Sequence, residues 1–146
     1  MNNPLFLVDT NILVYSDNED SQFYQSAKNF LEENLAGQRL AISLQNITEY
    51  YSLVTNKKRV PKAATSKEAE IRIKKWLESG LYKIIIPSVT TPTTLLRLLN
   101  GLSLIGSDIF DVSLAATMID NGIDTIYTAD TKIFKKLGLK AINPLT

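Results

Sequence analysis

The chain has neither cysteine nor histidine in its 146 residues. Without cysteine there are no disulfides, no thiolate metal sites and no thiol nucleophile. Without histidine the commonest general base is missing, so Ser-His-Asp chemistry is excluded, and with both absent the usual zinc ligands are gone. Any metal must therefore be held by oxygen. No run approaches the ~20 apolar residues of a membrane helix, and no basic stretch with a signal-type apolar core opens the chain, so a cytoplasmic location with no membrane contact is expected. Net charge is only +1, which by itself does not advertise a polyanionic partner.

What is present is ordinary for a folded protein. Apolar residues make up 45% and charged residues 21%, which suggests neither disorder nor a fibrous class. The length suits one domain, residues 1–146, able to bury its own core. Basic residues cluster from Lys57 to Lys75, opening with Lys57, Lys58 and Arg59, and again at Lys132, Lys135, Lys136 and Lys140.

Short apolar runs alternate with helical patterns. Residues 5–8, 40–43, 83–86, 125–127 and 140–142 read as strands, mostly too uniformly apolar for a sheet with one wet face. Helices are expected over 20–35 and 44–54, from Ser66 to Gly80, and over 93–105, 111–121 and 131–137. Strands separated by helices imply right-handed crossovers. The expected fold is a three-layer α/β/α sandwich around a five-stranded, mostly parallel sheet.

The acids stand at telling places in this pattern. Asp9 closes the apolar run Leu5-Phe6-Leu7-Val8, Asp130 follows Ile126-Tyr127-Thr128-Ala129, Asp111 opens a small-residue helix, and Glu49 lies within the helix after the second strand. In open parallel sheets ligands bind beyond the carboxyl ends of the strands, an edge that all four acids can reach. Clustered carboxylates repel and raise one another's pKa unless a cation neutralises them, and oxygen ligands select Mg²⁺ or Mn²⁺. Such a centre activates water for attack on phosphorus. Each acid also has a plainer reading. Asp9 would cap a helix beginning near Ile12, Asp108 and Asp111 would form a capping pair, and Asp130 would cap the last helix. Likewise Lys57, Lys58 and Arg59 read either as a solvated face or as a contact for a nucleic-acid backbone.

Four segments together resemble the PIN-domain nucleases. Val8-Asp9-Thr10-Asn11-Ile12-Leu13 looks like the family's opening motif, and Ile42 to Tyr51 is similar to its second, with Glu49 as the acid. Asp111-Val112-Ser113-Leu114-Ala115-Ala116-Thr117 resembles the third, with Asp108 as a second candidate for its acid. Tyr127-Thr128-Ala129-Asp130 looks like the fourth. The resemblance covers nearly the whole chain. It implies a Mg²⁺- or Mn²⁺-dependent endoribonuclease cutting single-stranded or looped RNA. Asp9, Glu49, Asp111 and Asp130 would hold the metal, with Asn11 and Thr128 in supporting hydrogen bonds. Small members of this kind, the VapC-like toxins, pair with an antitoxin and are usually homodimers. Two other readings use the same fold: a DNA nuclease or phosphatase, and a catalytically silent nucleic-acid-binding module.

Overall fold

The computed structural model describes residues 4–37 and 39–145, so the two ends of the expected 1–146 domain, and Gln38, lie outside the described residues. In chain order the elements are β1 (Phe6–Val8), α1 (Thr10–Asp17), α2 (Tyr24–Leu35), β2 (Leu40–Ser43), α3 (Leu44–Val54) and α4 (Ser66–Ser79). They continue with β3 (Tyr82–Ile85), α5 (Thr91–Leu99), α6 (Asp108–Asp120), β4 (Thr125–Tyr127), α7 (Thr131–Lys136) and β5 (Lys140–Ile142). The strands form one sheet in the order β3-β2-β1-β4-β5, every pair parallel.

Alternation along the strands sends side chains into two separate cores. Leu7, Ala41, Ile85, Ile126 and Ala141 pack with α5, α6 and α7 on one face of the sheet. Val8, Leu40, Ile42 and Tyr82 pack with α1 to α4 on the other. The result is the expected three-layer α/β/α arrangement. A sheet covered on both faces explains why β2 is buried at every position.

Helix boundaries follow local chemistry. Ser43 and Asn46 form a capping box at the start of α3, and Thr65 and Glu68 form another at the start of α4, which ends at Gly80 in the left-handed region, φ 69°. Three expectations are corrected. Residues 10–17 form a helix of their own, capped by Asp9 from Thr10 onward rather than from Ile12. The helix expected over 20–35 begins only at Tyr24, because the Asn18 and Ser21 side chains accept from the backbone N–H groups of Asp20 and Phe23 and hold that stretch in turns. The helix expected over 93–105 stops at Leu99, where Asn100 turns extended and Gly101 adopts φ 80°.

The chain crosses from β3, at one edge of the sheet, to β4 beside β1, so strand order reverses between β1 and β4. This is the switch point at which open α/β sheets leave a crevice. Among the described residues no helix is long and apolar enough to cross a membrane.

Candidate active site

Asp9 leaves β1 directly into that crevice and is only 8% exposed. Its Oδ1 accepts from the Thr10 backbone N–H at 2.8 Å, the helix-cap bond foreseen for it. Its Oδ2 accepts from the Thr128 hydroxyl at 2.8 Å, a bond that spans the β1–β4 switch point. The cap and the site are therefore the same carboxylate. Thr128 is fully buried and accepts in turn from the Asp130 N–H at 3.0 Å. Asn11 closes the loop: its Nδ2 lies 3.5 Å from Thr128 Oγ1, and its Oδ1 accepts from the Ala129 N–H at 3.3 Å. Both residues expected to play supporting roles thus fix the turn that carries Asp130.

Glu49 lies near the middle of α3, partly buried, with a donor on each oxygen. The Thr10 hydroxyl donates to Oε2 at 3.1 Å and is itself held by Asn46 Nδ2 at 3.1 Å. Gln45, one turn earlier on α3, donates its Nε2 to Glu49 Oε1 at 2.8 Å and to the Phe110 carbonyl at 2.9 Å. Because both neighbours are acceptors, the amide nitrogen must face them. This single side chain ties Glu49 to the N-terminal turn of α6, next to Asp111.

Helix α6 begins at Asp108, three residues earlier than expected, so Asp108 and Asp111 share its first turn. Their surroundings differ. Asp111 is half-buried, and its carboxyl is pushed up to about 6, first by burial and then by the charges of Asp9, Asp130, Glu49 and Asp108. Asp9 is likewise pushed up to about 6 by burial, against the lowering effect of its bonds from Thr128 and Thr10, with Glu49 and Asp130 adding repulsion. Asp108 instead accepts from the Ile105 N–H at 3.4 Å and lines a cleft of about 210 Å³ with Leu104, Asp130, Lys132, Ile133 and Lys136.

The fold thus gathers Asp9, Glu49, Asp111 and Asp130, from four separate segments, at one edge of the sheet within electrostatic reach of one another. Among the described residues no three of these acids stand at metal-ligand spacing, so they form an acidic edge rather than a closed cage. An all-oxygen donor set whose members repel one another still suits a hard divalent cation. Lys57, Lys58 and Arg59 line neither of the clefts that hold Glu49 and Asp130. They follow the end of α3 at Val54, about 8 Å further along the helix axis than Glu49 at 1.5 Å per residue.

Thr10, Asn46 and Gln45 were not singled out in the sequence, although two of them left a signal there. Gln45 is four residues before Glu49 and so on the same helix face. Asn46 is three residues after Ser43, the spacing of a capping box. Thr10 stands in the opening motif between Asp9 and Asn11, but nothing in the sequence shows that its hydroxyl links Asn46 to Glu49.

A family model described as the PIN domain matches residues 6–140. No curated protein matches the chain by sequence. Among solved structures, VapBC2 from Rickettsia felis bound to a promoter DNA fragment aligns at 23% identity and TM-score 0.69, covering 97% of this chain and 99% of that one. FitAcB from Neisseria gonorrhoeae aligns at 16% identity and TM-score 0.68, covering 96% and 98%. VapC20 from Mycobacterium tuberculosis, a sarcin-ricin loop cleaving toxin, aligns at 17% identity and TM-score 0.66, covering 92% and 95%. At these identities the likeness speaks for the fold.

Proposed function

The chain belongs to the PIN domain family, and we propose that it is a divalent-metal-dependent endoribonuclease acting on single-stranded or looped RNA in the cytoplasm, as the toxin of a toxin-antitoxin pair. The observation that carries this reading is the Thr128 to Asp9 hydrogen bond across the β1–β4 switch point, with Glu49, Asp111 and Asp130 all acting electrostatically on that edge. Asp9, Glu49, Asp111 and Asp130 would hold Mg²⁺ or Mn²⁺, with Asp108 at the margin. The bound cation would supply Lewis-acid polarisation of a phosphodiester and acidify an attacking water.

The chain's own residues set the geometry. Thr128 and the Thr10 N–H fix both oxygens of Asp9, while Thr10 and Gln45 fix both oxygens of Glu49. These two carboxylates are preorganised before any ligand arrives, which lowers the cost of ordering them in a complex. With carboxyls near 6, Asp9 and Asp111 are largely ionised at neutral pH and become more so beside a cation.

A homodimer and an antitoxin partner belong to the same proposal. Leu44 and Phe110, 53% and 60% exposed, line one depression with Pro87, beside the exposed Ile86 and Val89, a surface that favours burial against another chain. The direct test is cleavage of matched unpaired RNA and DNA oligonucleotides with Mg²⁺, Mn²⁺ or chelator. RNA cut only with metal supports the proposal. Preferential DNA cutting would favour a DNA nuclease, and binding without any cutting would leave a silent module.

A further inference from the structure

We propose that Lys132 and Lys136 form the phosphate-binding wall of the acidic cleft, holding the backbone of a single RNA strand along α7 while the acids face the bond to be cut. This rests on the nuclease reading and names the residues that would bring the substrate to it.

Lys132 and Lys136 lie one helical turn apart and line the same cleft as Asp108 and Asp130. Four residues of helix advance about 6 Å, a stride comparable to that between neighbouring phosphates of an extended strand. Both side chains are exposed, and neither forms an ion pair among the described residues, although two carboxylates line their cleft. Lys140, 3.9 Å from Asp124, and Lys74, 3.8 Å from Glu78, show the pairing that other lysines make with a nearby carboxylate, although Lys57, Lys58, Lys75, Lys83 and Lys135 are likewise in no ion pair among the described residues. The α7 backbone beneath the pair is anchored by the buried Ile133 and Phe134, so the two ammonium groups project from a fixed base.

The other flank of the site offers no such contact. The depression beside Glu49 is lined by Leu44, Gln45, Thr48, Pro87, Phe110 and Thr117, with no basic residue. Of these two depressions, only the α7 cleft offers positive charge to a polyanion. Lys57, Lys58 and Arg59, beyond the end of α3, line neither the α7 cleft nor the depression beside Glu49.

The test uses the full-length chain carrying Asp9→Asn, so that RNA stays intact, without divalent metal. Anisotropy of an unpaired fluorescent RNA is followed over a KCl series. For single strands each phosphate contact contributes about 0.7 to the slope of log affinity against log salt, so Lys132→Ala with Lys136→Ala should lower the slope by about 1.4. Alanine suits an exposed helix position, and an unchanged melting curve would confirm folding. Should that pair disturb the fold, Lys132→Gln with Lys136→Gln gives the same reading. A slope unchanged in the α7 variant overturns the assignment, whatever the Lys57→Ala, Lys58→Ala, Arg59→Ala variant does. If the parent binds no RNA at all, the α7 assignment is overturned too, while the nuclease reading stands or falls by the cleavage assay with metal.

Discussion

Replacing Asp9 with asparagine removes one charge from the crowded edge while nearly preserving shape. Its carboxyl rises from 3.8 to about 6 in the fold, so the folded chain binds this proton more tightly than the unfolded chain. The contribution to stability is then greatest below 3.8 and is lost as pH rises from 3.8 to about 6, staying lost above that window. At roughly 1.4 kcal/mol per pKa unit, ionised Asp9 costs the metal-free protein about 3 kcal/mol at neutral pH. Asparagine avoids that cost but gives up one charge-assisted bond. Its Nδ2 can donate to Thr128 Oγ1, whose proton can turn to the Asp130 carbonyl already 3.4 Å away. The rise to about 6 is already net of the bonds from Thr128 and Thr10, so no further loss is subtracted, and Asp9→Asn should be more stable than the native chain by up to about 3 kcal/mol in chelator at neutral pH. For a chain of this size each kcal/mol moves the melting temperature by about 2 to 4 °C. Thermal melts of both proteins in chelator, repeated near pH 5, should show the variant's relative advantage shrinking as the native carboxyl takes up its proton. A clear destabilisation by Asp9→Asn at neutral pH, or a difference indifferent to pH, would refute this picture of Asp9.

Two neighbours extend the test. Thr128→Val removes a bond that lowers the Asp9 carboxyl, so the Asp9 titration, followed by carbon NMR of the carboxyl, should move higher; no upward movement would mean that the switch-point bond is unimportant. Gln45→Ala frees Glu49 from the start of α6 and should weaken Mn²⁺ binding by about 10- to 100-fold, as loss of partners that orient metal ligands typically does. Combined with Glu49→Gln it should add little, and full additivity in that cycle would separate Gln45 from Glu49.

Much of this architecture was legible because it is written locally. Apolar runs closed by Asp9 and by Thr128-Ala129-Asp130 mark both strands at the switch point, and the helical spacing around Glu49 is clear. Length and cap signals were less reliable. The α1 helix was read only as the plainer alternative for Asp9, since a side chain that caps a helix looks the same whether or not it also faces a crevice. The end of α5 depends on backbone torsions at Asn100 and Gly101 that composition alone did not fix. Asp111 was favoured over Asp108 in sequence only for its place before the small-residue stretch Leu114-Ala115-Ala116, because the start of α6 had to be known first. Their difference lies in what surrounds them, Asp111 facing the other acids and Asp108 the α7 cleft.

Long-range partners could not be read in advance at all. The bridge from Gln45 to the Phe110 carbonyl joins positions 65 residues apart, and the pairing of Tyr50 with Asp17 and Arg72 beneath α4 joins three separate elements. The basic residues show the same limit. The sequence drew attention to the densest run, at Lys57, whereas the fold sets the sparser Lys132 and Lys136 in one cleft with Asp108 and Asp130.

The claim that Asp9, Glu49, Asp111 and Asp130 share one divalent cation is tested most directly by calorimetric titration of Mn²⁺ into the native chain and into Asp9→Asn, Glu49→Gln, Asp111→Asn and Asp130→Asn. Each single change should weaken binding sharply, and Asp108→Asn should weaken it least. Native-like Mn²⁺ affinity in any of the four, or no Mn²⁺ binding by the native chain, would contradict a shared site.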